Sequence, residues 1–352
     1  MSMVAINSRR KLLILAAFAG LTAFAPAQTP PPRQPAAAAE TPAAVPPVFL
    51  AVDPGGRNFS FVVFGDLRTA PVSNTKDTDP ASRKAIIDAI TKEKPAFVAV
   101  TGDLVLQGGN DDDWAEWDKE TEEWTKAKIP VFPALGNHEI FGNTAKALPN
   151  YFKRFPKLKE NHYYAARAGN VQLLTLDSNQ PELTGPQSVW LKTMLDDVAP
   201  DVDFVLIMLH HPPYTNSRPG ILGGHAARPE EIALASWLEE KQKSLRARLL
   251  VVAGHVHNYE RYEHNGVMYV VSGGGGAQPY SIPRTPSDFY REPGPSYHYC
   301  TVDVQGNKLA LEMHKLELVG EKAIWRVADK FELKVTPRPV PPQGHLRPAQ
   351  GY

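Results

Sequence analysis

The sequence predicts an α/β protein organised as a four-layer α-β-β-α sandwich, in which helices flank two mixed β-sheets. Two patterns indicate this fold: short apolar runs alternate with helical patterns up to residue 258, and β-hairpin patterns follow. Short apolar runs that are bounded by glycine or polar residues are typical of buried strands. The chain has 352 residues, of which 43% are hydrophobic, so it can fill the core of one large domain.

Five of the predicted strands end in residues that can bind a metal ion. These strands cover residues 59–64, 96–101, 131–135, 204–209 and 249–253. The polar residues that follow them, in chain order, are Asp66, Asp103, Asn137 with His138, His210, and His255 with His257. In open α/β sheets, ligands bind outside the carboxyl ends of the strands. We therefore expect the whole set to project from one edge of a sheet towards a shared point.

The predicted helices lie between these strands. Asp79 followed by Pro80 is a typical N-cap and first-turn pair. The aspartates at 111–113 precede a helix that carries three tryptophans; we interpret them as stabilising its N-terminus, with a calcium loop as the less favoured alternative. Two more amphipathic helices are predicted at 187–198 and 229–242.

Two β-hairpins are predicted in the last third of the chain. The first joins residues 262–264 to 267–272 through Asn265-Gly266, a dipeptide that favours tight hairpin turns. The second joins residues 297–304 to 308–314.

The two ends of the chain differ in composition from its centre. Residues 1–27 have the pattern of a signal peptide, with a basic start at 9–11, an apolar stretch and small residues at 25–27. The paired arginines fit a twin-arginine signal and an ordinary Sec signal about equally. We expect a periplasmic or secreted protein without a stable membrane span. Residues 28–47 form a predicted Pro/Ala-rich linker, 48–336 the folded domain, and 337–352 a Pro-rich tail.

Charge and cysteine content narrow the possible functions. The chain carries 38 basic and 38 acidic residues, and loss of residues 1–27 would remove three basic ones, which leaves −3. This balance gives no net positive charge of the kind that attracts duplex nucleic acid. Cys300 is the only cysteine, so neither an intrachain disulfide nor a cluster of thiolate ligands can form.

The ordered motifs resemble those of the calcineurin-like metallophosphoesterase superfamily. The residues that carry this resemblance are Asp66, Gly102-Asp103, Gly136-Asn137-His138-Glu139, His210 and Gly254-His255-Val256-His257. The extensions His210-His211-Pro212-Pro213-Tyr214 and Asn258-Tyr259-Glu260-Arg261 point to its purple acid phosphatase-like branch. The resemblance covers residues 58–318 and implies the sandwich fold that the strand and helix patterns also predict.

The resemblance implies a centre of two divalent metal ions. Asp103 would bridge them, Asp66 and His257 would hold the first ion, and three further side chains would hold the second: Asn137, His210 and His255. This donor set suits Fe, Mn, Zn, Co or Mg. A metal-bound hydroxide would attack phosphorus in line, with His138 as the general acid. His138 could instead orient Asn137, which is the less favoured alternative.

Two positions depart from the family pattern. Purple acid phosphatases have a tyrosine three residues after the second aspartate, where this chain has Leu106, so we expect no purple colour. Many members have a histidine two residues after the first aspartate, where this chain has Arg68. Arg68 cannot bind a metal; it could contact a phosphoryl oxygen as part of the catalytic site, or pair with a nearby carboxylate.

The sequence therefore predicts a hydrolase of small phosphate esters, with phosphomonoesters favoured. The alternatives are a phosphodiesterase of the same superfamily and a catalytically weak metal-binding module. His211 stays unassigned, and His225, His264, His298 and His314 are interpreted as structural. Tyr214, Asn216 and Ser217 are expected to line the cleft, and residues 259–261 to brace the histidine strand.

Overall fold

A computed structural model describes residues 47–218 and 225–336. The predicted signal peptide, the linker (apart from residue 47) and the tail lie outside the described residues. Thirteen strands are described: β1 Phe49–Val52, β2 Asn58–Phe64, β3 Val98–Val100, β4 Val131–Pro133, β5 Tyr164–Ala168, β6 Val171–Thr175, β7 Phe204–Met208, β8 Arg248–Ala253, β9 Tyr259–His264, β10 Val267–Ser272, β11 His298–Gln305, β12 Lys308–Val319 and β13 Lys322–Lys334. The described helices are α1 Pro80–Glu93, α2 Asp111–Glu120, α3 Glu122–Lys126, α4 Thr144–Arg154, α5 Gly185–Asp196 and α6 Pro229–Gln242.

The strands form two mixed sheets, as predicted. The seven-stranded sheet has the order β1-β5-β6-β7-β8-β10-β9, and the six-stranded sheet has the order β13-β12-β11-β2-β3-β4. Parallel pairs run through the centre of the first sheet (β6-β7-β8-β10) and along one side of the second (β2-β3-β4). Antiparallel hairpins close their other sides.

Alternating side chains of the seven-stranded sheet pack on its two faces. In β7, Phe204, Leu206 and Met208 belong to the large core that includes the six-stranded sheet. Val205 and Ile207 instead pack with α5 and α6 in a second core. A strand that is buried on both faces in this way explains the continuous apolar run in the sequence.

Helices α1, α2 and α3 pack on the six-stranded sheet and complete the fourth layer. Ile86 and Ile90 of α1 and the tryptophans of α2 and α3 are buried in the large core, and Trp124 meets Phe64 of β2 edge to face with centroids 6.2 Å apart. The predicted four-layer sandwich is confirmed.

Most local predictions agree with the structure. Asp79 is the N-cap of α1, and its side chain accepts from the backbone N–H groups of Ala81 and Ser82. The turn of the first hairpin has φ of 47° at Asn265 and 82° at Gly266, as its sequence predicts. One prediction was wrong in detail: the aspartates at 111–113 form the first turn of α2, Asn110 is its N-cap, and Trp124 lies on the separate helix α3.

The prediction that all five motif strands share the edge of one sheet was wrong. The strands that precede Asp66, Asp103 and Asn137 (β2, β3 and β4) belong to the six-stranded sheet, whereas β7 and β8 belong to the seven-stranded sheet. Their carboxyl ends still meet, because the two sheets pack face to face with these ends on the same side. The predicted meeting point therefore lies where the two sheets join.

Candidate metal centre

The structure brings the six predicted metal-binding side chains together. Asp66, Asp103 and His210 are fully buried, and their ligand atoms lie within 4.8 Å of one another. Three of the six residues, Asp66, Asp103 and His255, have positive φ angles of 59°, 53° and 68°. Such angles cost about 1–3 kcal/mol each in non-glycine residues and cluster at functional sites.

Four donor atoms form a compact group on one side of this centre. The Oδ1 atom of Asn137 lies 3.0 Å from Nε2 of His210 and 3.1 Å from Nδ1 of His255. The two histidine nitrogens are 3.1 Å apart, and Oδ1 of Asp103 is 3.3 Å from the His210 nitrogen. Nitrogen ligands at about 2.0–2.1 Å from a tetrahedral ion lie roughly 3.3 Å from one another, so this group fits a metal ion.

A second, more open group lies beside the first. Nε2 of His257 is buried and has no hydrogen-bond partner among the described residues, and it lies 3.7 Å from Oδ1 of Asp66. Buried polar atoms normally have a partner. An unpaired imidazole nitrogen that faces a buried carboxylate is therefore consistent with a metal ion between them.

Backbone carbonyls orient the histidines of both groups. Nδ1 of His210 lies 2.9 Å from the carbonyl oxygen of Thr101, and Nδ1 of His257 lies 3.0 Å from that of Gln278. A carbonyl can only accept, so Nδ1 carries the hydrogen and Nε2 keeps its lone pair for a ligand. His255 and His257 both follow β8 in a bent segment and contact different groups.

Burial keeps these imidazoles in the form that binds metal. It lowers the pKa values of His210 and His255, and it lowers the pKa of His257 to about 3, with the Arg68 charge as a further cause. Burial and the neighbouring Asp103 charge raise the pKa of Asp66. A divalent cation would offset the repulsion between the two carboxylates.

The two carboxylate oxygens of Asp103 have different partners. Oδ1 accepts from the backbone N–H of His138 at 3.0 Å and faces His210. Oδ2 accepts from Nε and Nη2 of Arg68, both at 3.3 Å. Burial raises the pKa of Asp103, but the charges of His210, His138 and Arg68 outweigh it and lower that pKa overall.

His138 points its Nε2 atom at the same carboxylate. Its Nδ1 lies 2.6 Å from the carbonyl oxygen of Leu106 and therefore carries a hydrogen. Its Nε2 lies 3.9 Å from Oδ2 of Asp103, and 15% of the side chain is exposed. His138 therefore has one ring nitrogen towards the centre on a side chain that is partly exposed.

Glu139 braces the loop that carries Asp103, a role that the sequence reasoning missed. Its fully buried carboxylate accepts from the backbone N–H groups of Gly136 at 2.7 Å, Asp103 at 2.8 Å and Leu104 at 2.8 Å. The loops also approach very closely: a Cβ on Gly136 would lie 2.3 Å from Oδ1 of Asp103. The signal for Glu139 was its place in the Gly136–Glu139 motif.

His225 also lies at the centre, although it was interpreted as structural. Its ring centroid is 3.9 Å from that of His255, and its backbone N–H donates to Oγ of Ser217 at 2.9 Å. No local motif marks His225, because it follows a glycine-rich stretch. His211, which stayed unassigned, packs against His255 and bonds Oγ of Ser178 at 2.8 Å.

The loop after His210 only partly matches its predicted role. Ser217 faces His225, but Tyr214 turns towards α6, where its hydroxyl donates to Glu239 at 2.7 Å. Glu260 fixes this loop, since it accepts from Oγ1 of Thr215 at 2.6 Å and from the N–H of Asn216 at 2.7 Å. It also braces its own strand β9, where the Tyr262 hydroxyl donates to it at 2.6 Å.

The sequence profile of the calcineurin-like phosphoesterases matches residues 59–259, a range that contains all six predicted metal-binding residues. The chain belongs to the calcineurin-like phosphoesterase family. The family resemblance that the sequence predicts is thereby confirmed.

Known relatives and solved structures place the similarity near purple acid phosphatases. Purple acid phosphatase 23 of Arabidopsis thaliana is 30% identical over 223 residues, which are 58% of this chain and 45% of the relative. The phosphoenolpyruvate phosphatase of Allium cepa is 25% identical over 250 residues, 66% of this chain and 47% of that protein. The purple acid phosphatase PPD1 from yellow lupin (Lupinus luteus) seeds has a similar fold, with a TM-score of 0.65 at 19% identity over 79% of this chain and 54% of that one.

The chain spans about half the length of the curated relatives it matches. None of the helices in the described part of the chain is long and apolar enough to cross a bilayer.

Proposed function

We propose that this calcineurin-like phosphoesterase hydrolyses small phosphate esters, phosphomonoesters in preference, at a centre of two divalent metal ions. The observation that carries this proposal is the convergence of six buried or nearly buried donor side chains next to the imidazole of His138. The names of two relatives, a purple acid phosphatase and a phosphoenolpyruvate phosphatase, support a phosphatase activity.

The residues divide into two proposed metal positions that share Asp103. Asp66, His257 and Asp103 would hold the first ion, and Asn137, His210, His255 and Asp103 the second. When bound, the two ions would lower the pKa of water at the centre and neutralise charge on the phosphoryl oxygens.

His138 is the proposed general acid. Because Nδ1 is committed to the Leu106 carbonyl, a proton that His138 exchanges with substrate must sit on Nε2. That atom faces the Asp103 carboxylate, and the side chain is partly exposed, so we propose that it protonates the leaving oxygen and is reprotonated by water.

Arg68 and His225 are the proposed contacts of the substrate around the ions. Both interpretations of Arg68 are compatible with its position: its guanidinium pairs with Asp103, and its partial exposure leaves N–H groups that can bind a phosphoryl oxygen. The His225 ring lies 3.9 Å from the His255 ring, centroid to centroid, which supports a proposed role for His225 in limiting the size of the ester group.

The decisive experiment compares two substrates before and after chelation. Purified protein loaded with Mn²⁺ or Zn²⁺ should hydrolyse p-nitrophenyl phosphate faster than bis-p-nitrophenyl phosphate, and EDTA should abolish both activities. Faster cleavage of the bis-ester would favour the phosphodiesterase alternative. Metal binding without cleavage of either ester would favour a metal-binding module.

The composition of the N-terminal residues supports a second, independent proposal. We infer export to the periplasm or the medium, supported by the signal-like pattern of residues 1–27 and the proline-rich composition of 28–47. N-terminal sequencing of the exported protein should begin near residue 28. A cytoplasmic protein that retains residue 1 would overturn this proposal.

A further inference from the structure

The two proposed metal positions have unequal surroundings, and we propose that they load unequally. One ion binds firmly at the position of Asn137, His210 and His255. The other binds at least about tenfold more weakly at the position of Asp66 and His257, because the Arg68 guanidinium occupies the Asp103 oxygen that this ion needs. The inference rests on the proposed metal centre and assigns Arg68 a role in metal occupancy.

The firm position has a complete and closely spaced donor set. Its four donor atoms come from Asn137, His210, His255 and Oδ1 of Asp103, and the contacts between them measure 3.0–3.3 Å. None of these atoms must move far to surround an ion. A preorganised site with the full ligand count for a tetrahedral ion binds it tightly.

The weak position has one donor fewer and a wider spacing. Its protein donors are Asp66, His257 and the remaining Asp103 oxygen, Oδ2, and the His257 nitrogen lies 3.7 Å from the Asp66 oxygen. Arg68, two residues after Asp66, adds no donor to this position, because its guanidinium has no lone pair to offer a metal ion.

Arg68 adds a fixed positive charge next to the weak position. Two of its N–H groups donate to Oδ2 of Asp103 at 3.3 Å. Asp103 is fully buried and Arg68 only 15% exposed at its side chain, so water and salt screen this pair much less than a surface pair. An incoming cation must compete with the guanidinium for the same oxygen and is repelled by its charge.

The unequal affinity of the two metal positions also gives Arg68 a proposed role in the reaction. When the weaker position fills, Oδ2 of Asp103 gains a new partner and the guanidinium can turn towards a phosphoryl oxygen. A planar guanidinium can bind a phosphate with two parallel hydrogen bonds. The salt bridge and the substrate contact are then two positions of one side chain.

Equilibrium dialysis against Zn²⁺ alone and Mn²⁺ alone, with metal counted by mass spectrometry, tests this proposal. The unmodified chain should hold one ion firmly and a second at least about tenfold more weakly. Arg68→Gln should tighten the second ion about tenfold or more, a range typical of changes next to a metal ligand. Arg68→His, which also adds a donor, should tighten it further.

Three matched variants keep the test specific. Arg68→Lys retains the charge and should leave the difference in affinity between the two ions largely unchanged. Asn137→Ala should lose the firm ion, and His257→Ala should lose only the weaker one. The affinity of the firm ion in Arg68→Gln should stay within about threefold of the unmodified value, which shows that the pocket is intact.

Two firm ions with affinities within about threefold of each other in the unmodified chain would overturn the inference. An unchanged difference in affinity between the two ions in Arg68→Gln would also overturn it, as would loss of the weaker ion in Asn137→Ala. The measurements of metal content need no substrate. A chain with unequal sites that cleaves no ester would therefore refute the proposed function alone, and an active chain with equal sites would refute only the unequal loading.

Discussion

The two sheets contribute different chemistry to the centre. The six-stranded sheet supplies the oxygen donors Asp66, Asp103 and Asn137, together with His138, whereas the imidazoles that would bind metal follow β7 and β8 of the seven-stranded sheet. The oxygen side carries the carboxylates and the imidazole that we propose as the general acid. On the imidazole side, backbone carbonyls orient His210 and His257. Neither sheet alone holds a complete set of ligands, so the site exists only where the two sheets meet.

The largest expected effect comes from breaking the oxygen side at Asp103. Asp103→Asn removes the carboxylate that faces both proposed positions, and we expect kcat to fall about 10³-fold or more, since several kcal/mol of charge stabilisation are lost. Hydrolysis of p-nitrophenyl phosphate and metal counting would measure it. Asp88→Asn, at an exposed residue of α1, is the matched control and should leave kcat and metal content unchanged.

His138→Ala tests the proton-transfer role on the same side. We expect a loss of about 10²–10³-fold for an ester with a poor leaving group, and a smaller loss for p-nitrophenyl phosphate, whose leaving group needs little protonation. Metal content should stay unchanged. Equal losses on both esters, or an unchanged rate on the poor one, would contradict the assignment of His138 as general acid.

The two buried glutamates that brace the site allow a direct comparison of the two sides. Glu139→Gln places an amide against three backbone N–H donors next to Asp103, and we expect metal affinity to fall about 10–100-fold. Glu260→Gln disturbs the loop at 215–216 and the hydrogen bond from the Tyr262 hydroxyl, none of which is a proposed metal ligand. It should change KM more than metal affinity. Equal losses of metal in both variants would contradict this division.

A pH-dependent stability is expected from Glu182, which lies beside Glu231 near α5 and α6. Burial, followed by the Glu231 charge, raises the pKa of Glu182 to about 8, whereas the unfolded value is roughly 4.3. The folded chain keeps a proton that the unfolded chain loses, so the free energy of unfolding should fall as pH rises from about 4.3 to about 8.

Glu182→Gln carries no titrating proton and should flatten this slope. Its free energy of unfolding at pH 8 should exceed that of the unmodified chain by about 1–3 kcal/mol, measured by urea unfolding at pH 5 and pH 8. Glu231→Gln removes the lesser cause of the raised pKa and also the pair with Arg228, so it should flatten the slope only in part and destabilise the chain at pH 5. An equal slope in Glu182→Gln would contradict the prediction.

The smallest expected signal is optical. Because Leu106 replaces the tyrosine of purple enzymes, the iron-loaded protein should show no strong visible phenolate band. Should a band appear, the nearby phenol is Tyr280, whose ring centroid lies 5.5 Å from that of His257. Loss of that band in Tyr280→Phe would then identify the source of the colour and refute the prediction from Leu106.

The sequence by itself determined the local features of this protein. Apolar runs followed by glycine and a polar residue predicted the strands and the residues at their ends, because strand burial and sharp turns depend on residues that are adjacent in the sequence. The same holds for the N-cap at Asp79 and the turn at Asn265-Gly266. The sequence reasoning did not predict β1, β5, β6, α4 or β13, where short or half-exposed segments give weak patterns.

Only the tertiary structure decided how these features combine. It divided the five motif strands between two sheets, gave the two oxygens of Asp103 different partners, and brought His225 to the ring of His255. These outcomes depend on contacts between residues that are far apart in the chain. No local pattern encodes such contacts, because they are set by how two buried sheet faces pack on each other.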